Sequence, residues 1–299
     1  MIYIYIYEFS HCTGRLTLSN IEIYYFSGTG NSLHVAKELQ KRIPDTNLIP
    51  IASLLNKDSV NTNGDTVGFV FPIHGMTIPI PVKTFLKELN LTSADYIFAL
   101  ATRAGTKCFA FSKIDDLLKK KGKSLDSFFV LNMASNDPKF KEWSPATTEE
   151  MANVESEVQN RLDSIQNVIM SKEKYRITDT EYIYPTNPLL EHLVLLGMTY
   201  AEFDGAKDYF YSDSKCVGCG TCEKVCLSKK IKIIDKKPVW QKNVKCYMCY
   251  ACLNYCPEQS VQIKSKWWMK SYTDENERYP HPYATAGDIA GEKERKAEK

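Results

Sequence analysis

Apolar and polar positions fall into two rhythms that alternate from about residue 21 to 132. Compact β-branched and aromatic runs read as buried strands: Ile21 to Phe26, Val67 to Phe71, Tyr96 to Ala101 and Phe128 to Leu131. Between them, Leu33 to Ile43 sets Leu33, Val35, Ala36 and Leu39 at helical spacing, and further helical stretches lie at about 80–90 and 107–121. This alternation predicts a parallel sheet covered on both faces, and right-handed crossovers make it a doubly wound α/β layer. Thr147 to Ser171 reads as one long amphipathic helix. Glu149 and Glu150 occupy its first turn, and Met151, Val154, Val158, Leu162, Ile165 and Ile169 form its apolar stripe. A bridge with Pro185, Pro188 and a second, short apolar helix starts at 176. From about 271 the chain is polar, and its Lys/Glu-rich end is expected to fray.

The 299 residues suggest roughly two domains. With 43% hydrophobic and 25% charged residues the chain can build a core and is not mainly disordered. A net charge of +2 gives no sign of a nucleic-acid binder. No apolar run approaches the roughly 18 residues of a membrane span; Leu189 to Met198 is broken by Glu191 and His192. Met1 to Tyr7 alternates Ile and Tyr without leading basic residues or a cleavage site, a poor signal peptide. A soluble, cytoplasmic protein is expected.

Ten cysteines change the picture. Cys12 and Cys108 stand alone, while eight crowd between 216 and 256, which points to thiolate ligation in a reducing compartment. Cys216, Cys219, Cys222 and Cys226 recur 30 residues later as Cys246, Cys249, Cys252 and Cys256. Ile231-Lys232-Ile233 is echoed by Val261-Gln262-Ile263. Each half reads C-x2-C-x2-C-x3-C, the spacing of bacterial-type ferredoxins with two 4Fe–4S clusters, whose fourth cysteine serves the other cluster. Three thiolates on one tight turn cap three corners of a cube, and the fourth corner is reached from elsewhere. The expected sets are Cys216, Cys219, Cys222 with Cys256, and Cys226 with Cys246, Cys249, Cys252. Pro257 follows the second run, but Leu227 replaces the equivalent proline after the first. Structural zinc sites prefer two C-x2-C knuckles separated by a longer loop, and disulfide scaffolds belong mostly to shorter chains.

A glycine-rich loop, Ser27-Gly28-Thr29-Gly30-Asn31-Ser32, follows the first strand and opens the first helix. Backbone N–H groups and hydroxyls there suit an anion at a helix N-terminus. The loop lacks the lysine of a Walker A motif, and Leu33 stands where a dinucleotide fingerprint needs its third glycine. A lysine-free, hydroxyl-rich loop suits the phosphate of FMN in a flavodoxin-like fold. The ordinary alternative is a turn without a ligand. Phe71 to Thr77 and Ala101 to Thr106 follow two further strands, so three loops fall at the carboxyl edge where α/β ligands bind.

These pieces resemble the fused flavodoxin/ferredoxin proteins called EFR1-family ferredoxins. The matching segments are Y-Y-F-S-G-T-G-N-S, F-P-I-H-G-M-T-I-P, A-T-R-A-G, Asn132 to Asn136, the double cysteine run, and Glu277-Arg278-Tyr279 with His281-Pro282. The resemblance implies a flavodoxin-like FMN domain at 21–175, a bridge at 176–210, a ferredoxin domain with two 4Fe–4S clusters at 211–266 and a tail at 267–299. Residues 1–20 are an extension without counterpart, either an added edge strand or sequence upstream of the true start. By the same resemblance Ser27, Gly28, Thr29, Gly30, Asn31 and Ser32 hold the phosphate. Pro72, Ile73, His74, Gly75, Thr102, Arg103, Ala104 and Gly105 flank the flavin ring, where relatives are more aromatic than His74 and Met76. Arg103 reads either as a partner of the flavin's pyrimidine edge or as a surface arginine, His74 as a solvated loop residue, and Cys108 as a small residue at a helix start.

The implied function is electron transfer between FMN and two clusters within one chain, with no acid–base catalyst. Two other readings are a flavin-dependent reductase of a quinone or nitro compound, and an iron–sulfur redox sensor or scaffold. No second nucleotide motif supports direct NAD(P)H oxidation. Lys229, Lys230, Lys232, Lys236, Lys237, Lys242 and Lys245 face Asp235 alone, which suits docking to an acidic, ferredoxin-type redox partner or merely a solvated hairpin.

Overall fold

The computed structural model describes residues 20–294 apart from 56, 58, 185–186, 268 and 280–283. Cys12, Pro185, His281-Pro282, the far end of the tail and the expected extension other than Asn20 lie outside the described residues. The first half is built on β1 (Ile21–Tyr25), β2 (Thr46–Pro50), β3 (Thr66–Pro72), β4 (Tyr96–Arg103) and β5 (Ser127–Asn132). All neighbours are parallel, in the order β2-β1-β3-β4-β5. That order is the doubly wound flavodoxin-type arrangement. The N-terminal half has a flavodoxin-like fold.

Burial explains which strands the pattern reveals. β1 and β4 are buried along their whole length, as parallel strands covered on both faces must be, and therefore read as continuous apolar runs. β2 (Thr-Asn-Leu-Ile-Pro) pairs only with β1 and is half-exposed at the sheet edge, so it leaves no such run. The covering helices are α1 (Asn31–Arg42), α2 (Ile80–Glu88), α3 (Ala110–Lys119) and α4 (Thr148–Met170). Thr147 caps α4 by accepting from Glu150 N–H at 3.2 Å, while its own N–H donates to the Glu150 carboxylate at 2.7 Å. Val158, Leu162, Ile165 and Ile169 are the buried stripe of α4.

The bridge holds α5 (Pro188–Asp204), longer than its sequence suggests and exposing Leu189, Leu193, Leu196, Tyr200 and Phe203. Beyond it lies a small α+β half. β6 (Phe210–Ser212) pairs antiparallel with β9 (Val261–Ile263), and β7 (Ile231–Ile234) with β8 (Lys237–Trp240). Asp235 and Lys236 both have positive φ, so the two-residue turn between β7 and β8 is of the primed type that matches strand twist. α6 (Thr221–Val225) and α7 (Ala251–Asn254) sit 30 residues apart in equivalent places, and α8 (Ala286–Gly291) returns toward the first half. Apolar residues of both halves form one contiguous core. No helix among the described residues is long and apolar enough to cross a membrane.

At Gly68 in β3 a Cβ would lie 2.2 Å from the Phe98 ring, which is fully buried and cannot retreat. Gly68→Ala should therefore cost about 1–3 kcal/mol of stability through overpacking, measured by urea denaturation.

Candidate functional site

The carboxyl ends of β1, β3 and β4 bring the three predicted loops together. Gly30 takes a left-handed φ of 104° to turn the chain from β1 into α1. Ser27, Thr29, Asn31 and Ser32 are all buried. Gly30 N–H donates to Ser27 Oγ at 3.1 Å, and Ser32 Oγ lies 2.8 Å from Thr102 Oγ1 at the end of β4. Asn31 Nδ2 donates to the Ala134 carbonyl and Asn136 Nδ2 to Thr29 Oγ1, so the segment after β5 closes over the loop. Asn31 Oδ1 is buried and finds no hydrogen-bond partner among the described residues.

An acidic side chain already sits at this anion-type loop. Ser27 N–H donates to Glu292 Oε2 at 3.1 Å, from the turn that follows α8. Glu292 is fully buried, its Oε1 has no partner among the described residues, and burial pushes its carboxyl well above the usual range. Sequence reasoning missed it, because a glutamate in a Lys/Glu-rich tail carries no local signal.

The flanking loops are closed as well. Ile73 N–H donates to the Thr102 carbonyl at 2.9 Å, joining Pro72 to Gly75 with Thr102 to Gly105. A Cβ on Gly75 would lie 2.4 Å from Met198 of α5, and one on Gly105 2.9 Å from Ile183. Ile183 and Tyr184 both donate backbone N–H groups to the Gly105 carbonyl. Two expectations are corrected here. His74 is not a solvated loop residue: it is half-buried edge-on against Phe26, and burial, aided by Lys139, pushes its imidazole down to about 4. Arg103 is neither a surface residue nor free to meet a flavin edge: it is buried, with its donors committed to Asp179, Asn132 Oδ1 and the Thr106 carbonyl. In both cases the covering partner comes from a distant part of the chain. Ala104 is half-buried beside Arg103, and Cys108 is a half-buried thiol pushed up to about 11 by burial.

The eight clustered thiols fall into two groups. Cys216, Cys219, Cys222 and Cys256 all line one cavity with about 320 Å³ of open space, mouth included. Cys222, raised to about 12 by burial, has Cys256, Cys216 and Cys219 as its charged neighbours. In the second group Cys252 is raised by burial and then by Cys226, Cys246 and Cys249, and Cys246 is pushed up to about 12 by burial with Cys226 beside it. Each group thus takes three cysteines from one run and the last from the other. Met248 N–H donates to Cys246 Sγ and Ser260 N–H to Cys256 Sγ, both at 3.3 Å. Such donors favour anionic sulfur. The second group abuts the glycine-rich loop: a Cβ on Gly28 would lie 1.9 Å from the Cys249 carbonyl oxygen.

No family model and no curated protein matches the chain. Among solved structures it is similar to a Bacteroides uniformis protein described as a flavoprotein (19% identity, 39% of this chain and 92% of that one, TM-score 0.31). It is also similar to the two-electron reduced flavodoxin of Megasphaera elsdenii (13% identity, 49% and 98%, TM-score 0.31). A third is rubredoxin oxygen:oxidoreductase from Desulfovibrio gigas (12% identity, 51% of this chain, TM-score 0.32), of whose length the chain spans 36%.

The donor chemistry decides what these places can hold. Among the described residues no three Cys, His, Asp or Glu side chains converge on a single-ion position, whereas zinc needs four donors within about 2.3 Å of one centre. Four thiols spread around a cavity suit a multi-atom 4Fe–4S centre, and a bound cationic centre reverses the resistance of buried thiols to ionisation. The 27–32 loop suits a phosphate: it offers N–H groups and hydroxyls, and a carboxyl already stands in for the anion. Because Glu292 and a phosphate compete for Ser27 N–H, Glu292→Ala should bind FMN at least tenfold tighter than the wild type, about 1.4 kcal/mol, in a fluorescence-quenching titration. Riboflavin, which has no phosphate, should bind both proteins alike.

Proposed function

We propose that this chain is an electron-transfer protein that holds two 4Fe–4S clusters on its eight clustered cysteines and FMN on the 27–32 loop. The observation that carries the reading is the contact of Gly28 with Cys249, which sets the second thiol group directly against the phosphate-type loop. When bound, the clusters would supply one-electron exchange and the flavin one- or two-electron exchange. The chain's own groups bind and orient. Cys216, Cys219, Cys222 and Cys256 would hold the outer cluster, where Cys219 is exposed, and Cys226, Cys246, Cys249 and Cys252 the inner one. Ser27, Thr29, Asn31 and Ser32 would take the phosphate once Glu292 has left Ser27. Electrons would then enter at the exposed outer set and leave through the inner set toward the loop. The reading agrees with the likeness to EFR1-family ferredoxins, and Met198 and Ile183 over Gly75 and Gly105 favour a carrier over a reductase with an open flavin face.

Anaerobically purified protein should contain about eight iron and eight acid-labile sulfide per chain. Cys219→Ser and Cys249→Ser should each lose about half of that iron, while Cys108→Ser should keep it; stoichiometric zinc without visible absorption would overturn the reading. An acidic redox protein is the proposed partner. Lys229, Lys232, Lys236, Lys237, Lys242 and Lys245 are exposed around the β7–β8 hairpin, whereas Lys230, counted with them in the sequence, is buried. Reduction by an acidic ferredoxin, followed by stopped flow, should slow steeply with salt as screening shortens below about 10 Å, and reversing Lys236 and Lys237 to glutamate should slow it at low salt.

A further inference from the structure

The two cysteine runs repeat at 30 residues, but one equivalent pair behind the fourth cysteine differs in charge. Ser260 lies behind Cys256, with its N–H and Oγ both 3.3 Å from Cys256 Sγ. Its counterpart behind Cys226 is Lys230. Lys230 is 1% exposed, the only lysine among the fully buried large side chains of the described residues. Its ammonium donates to the Gln241 carbonyl at 2.8 Å and to the Val244 carbonyl, two residues ahead of Cys246. These partners are backbone carbonyls, and the anionic groups nearest in effect are Cys246 and Cys226, ahead of Asp204 and Asp208. Burying an ammonium without a carboxylate costs several kcal/mol unless other negative charge offsets it. In a centre bound by four thiolates, negative charge outweighs positive, and reduction adds one more negative charge.

We infer that Lys230 is the built-in counter-charge of the inner thiol group, a positioning residue that raises the reduction potential of the cluster held by Cys226, Cys246, Cys249 and Cys252. This rests on the cluster reading above. The reduction takes one electron from an external donor, and no proton moves because Lys230 stays charged throughout. The outer group, with Ser260 in the equivalent place, gains a neutral hydrogen bond instead. The duplicated halves are thereby made unequal in charge at the inner centre.

The test is an anaerobic dithionite titration of the full chain with viologen mediators, followed by electron paramagnetic resonance, on wild type, Lys230→Met, Lys230→Arg and Lys236→Gln. Lys230→Met should shift the redox equilibrium of one cluster at least tenfold toward the oxidised form, about 59 mV for a one-electron couple, and leave the other cluster alone. Lys230→Arg should stay near the wild type, and Lys236→Gln, an exposed and screened position, should change neither. Unchanged midpoints in Lys230→Met with about eight iron present would overturn the inference. Loss of about four iron in Lys230→Met but not in Lys230→Arg would support it, since charge rather than packing then holds the inner centre; equal loss in both would overturn it. A wild type without iron would sink the cluster reading itself, which separates the two failures.

Discussion

Two backbones meet at Gly28 with room for a hydrogen and nothing larger. A side chain there would drive into the Cys249 carbonyl at 1.9 Å, so glycine is required by the contact as well as by the turn. One side of the contact is fixed by β1 and the parallel sheet, the other by the tight turn of the second cysteine run. Neighbouring contacts depend on the same approach. Tyr255 hydroxyl donates to the Thr29 carbonyl at 3.2 Å, and Tyr247 lies edge-on to Phe26. The burial of the 27–32 loop follows from this docking, and so does the burial of His74 beneath Tyr247.

The second cysteine turn carries a conformational cost that the first avoids. Gly218 and Gly220 take φ of 74° and 80°, and the equivalent Met248 and Tyr250 take 52° and 60°. Lys229 and Gln259 repeat the feature a third time, at 57° and 48°. For a residue with a Cβ this costs roughly 1–2 kcal/mol. The turn persists at Tyr250 because its side chain is used: its hydroxyl lies 2.8 Å from that of Tyr209, and its ring packs edge-on to Phe210. The same backbone path directs Met248 N–H at Cys246 Sγ, so strain and sulfur solvation are two aspects of one turn.

What could be read from the sequence was local, and what could not was long-range. β1, the 27–32 loop and α1 were legible because a fully buried strand, a left-handed glycine and a helical stripe follow one another within about 20 residues. The thiol grouping was legible because the 30-residue repeat constrains it. β2 was hidden, since an edge strand containing Pro50 has no apolar run. Glu292 on Ser27, Asp179 on Arg103 and Met198 on Gly75 join residues 265, 76 and 123 positions apart, and no local pattern encodes such pairs. Lys230 shows the same limit from the opposite side. Charge counting puts it on the surface with its neighbours, although the fold withdraws it alone into the core.

Those long-range pairs also argue for rigid docking rather than a mobile tether between the halves. Asn254 Nδ2 donates to the Asn136 carbonyl, and Asn276 Nδ2 donates to the carbonyls of Pro138 and Phe140 at 2.9 and 2.8 Å. Tyr272 N–H donates to the Lys139 carbonyl, and Lys37 on α1 pairs with Asp288 on α8 at 3.0 Å. The returning chain thus grips the first half on both sides of the glycine-rich loop. An exposed ion pair such as Lys37–Asp288 contributes little by itself. The buried amide bonds and the shared core supply the stiffness. A transfer step between fixed centres gains from a separation that does not fluctuate, and a single polypeptide with one core maintains it without depending on concentration. The same stiffness makes the Glu292 contact costly to open, because releasing Ser27 from the carboxyl requires α8, anchored by Thr285 and Asp288 in a reciprocal cap, to shift as a unit.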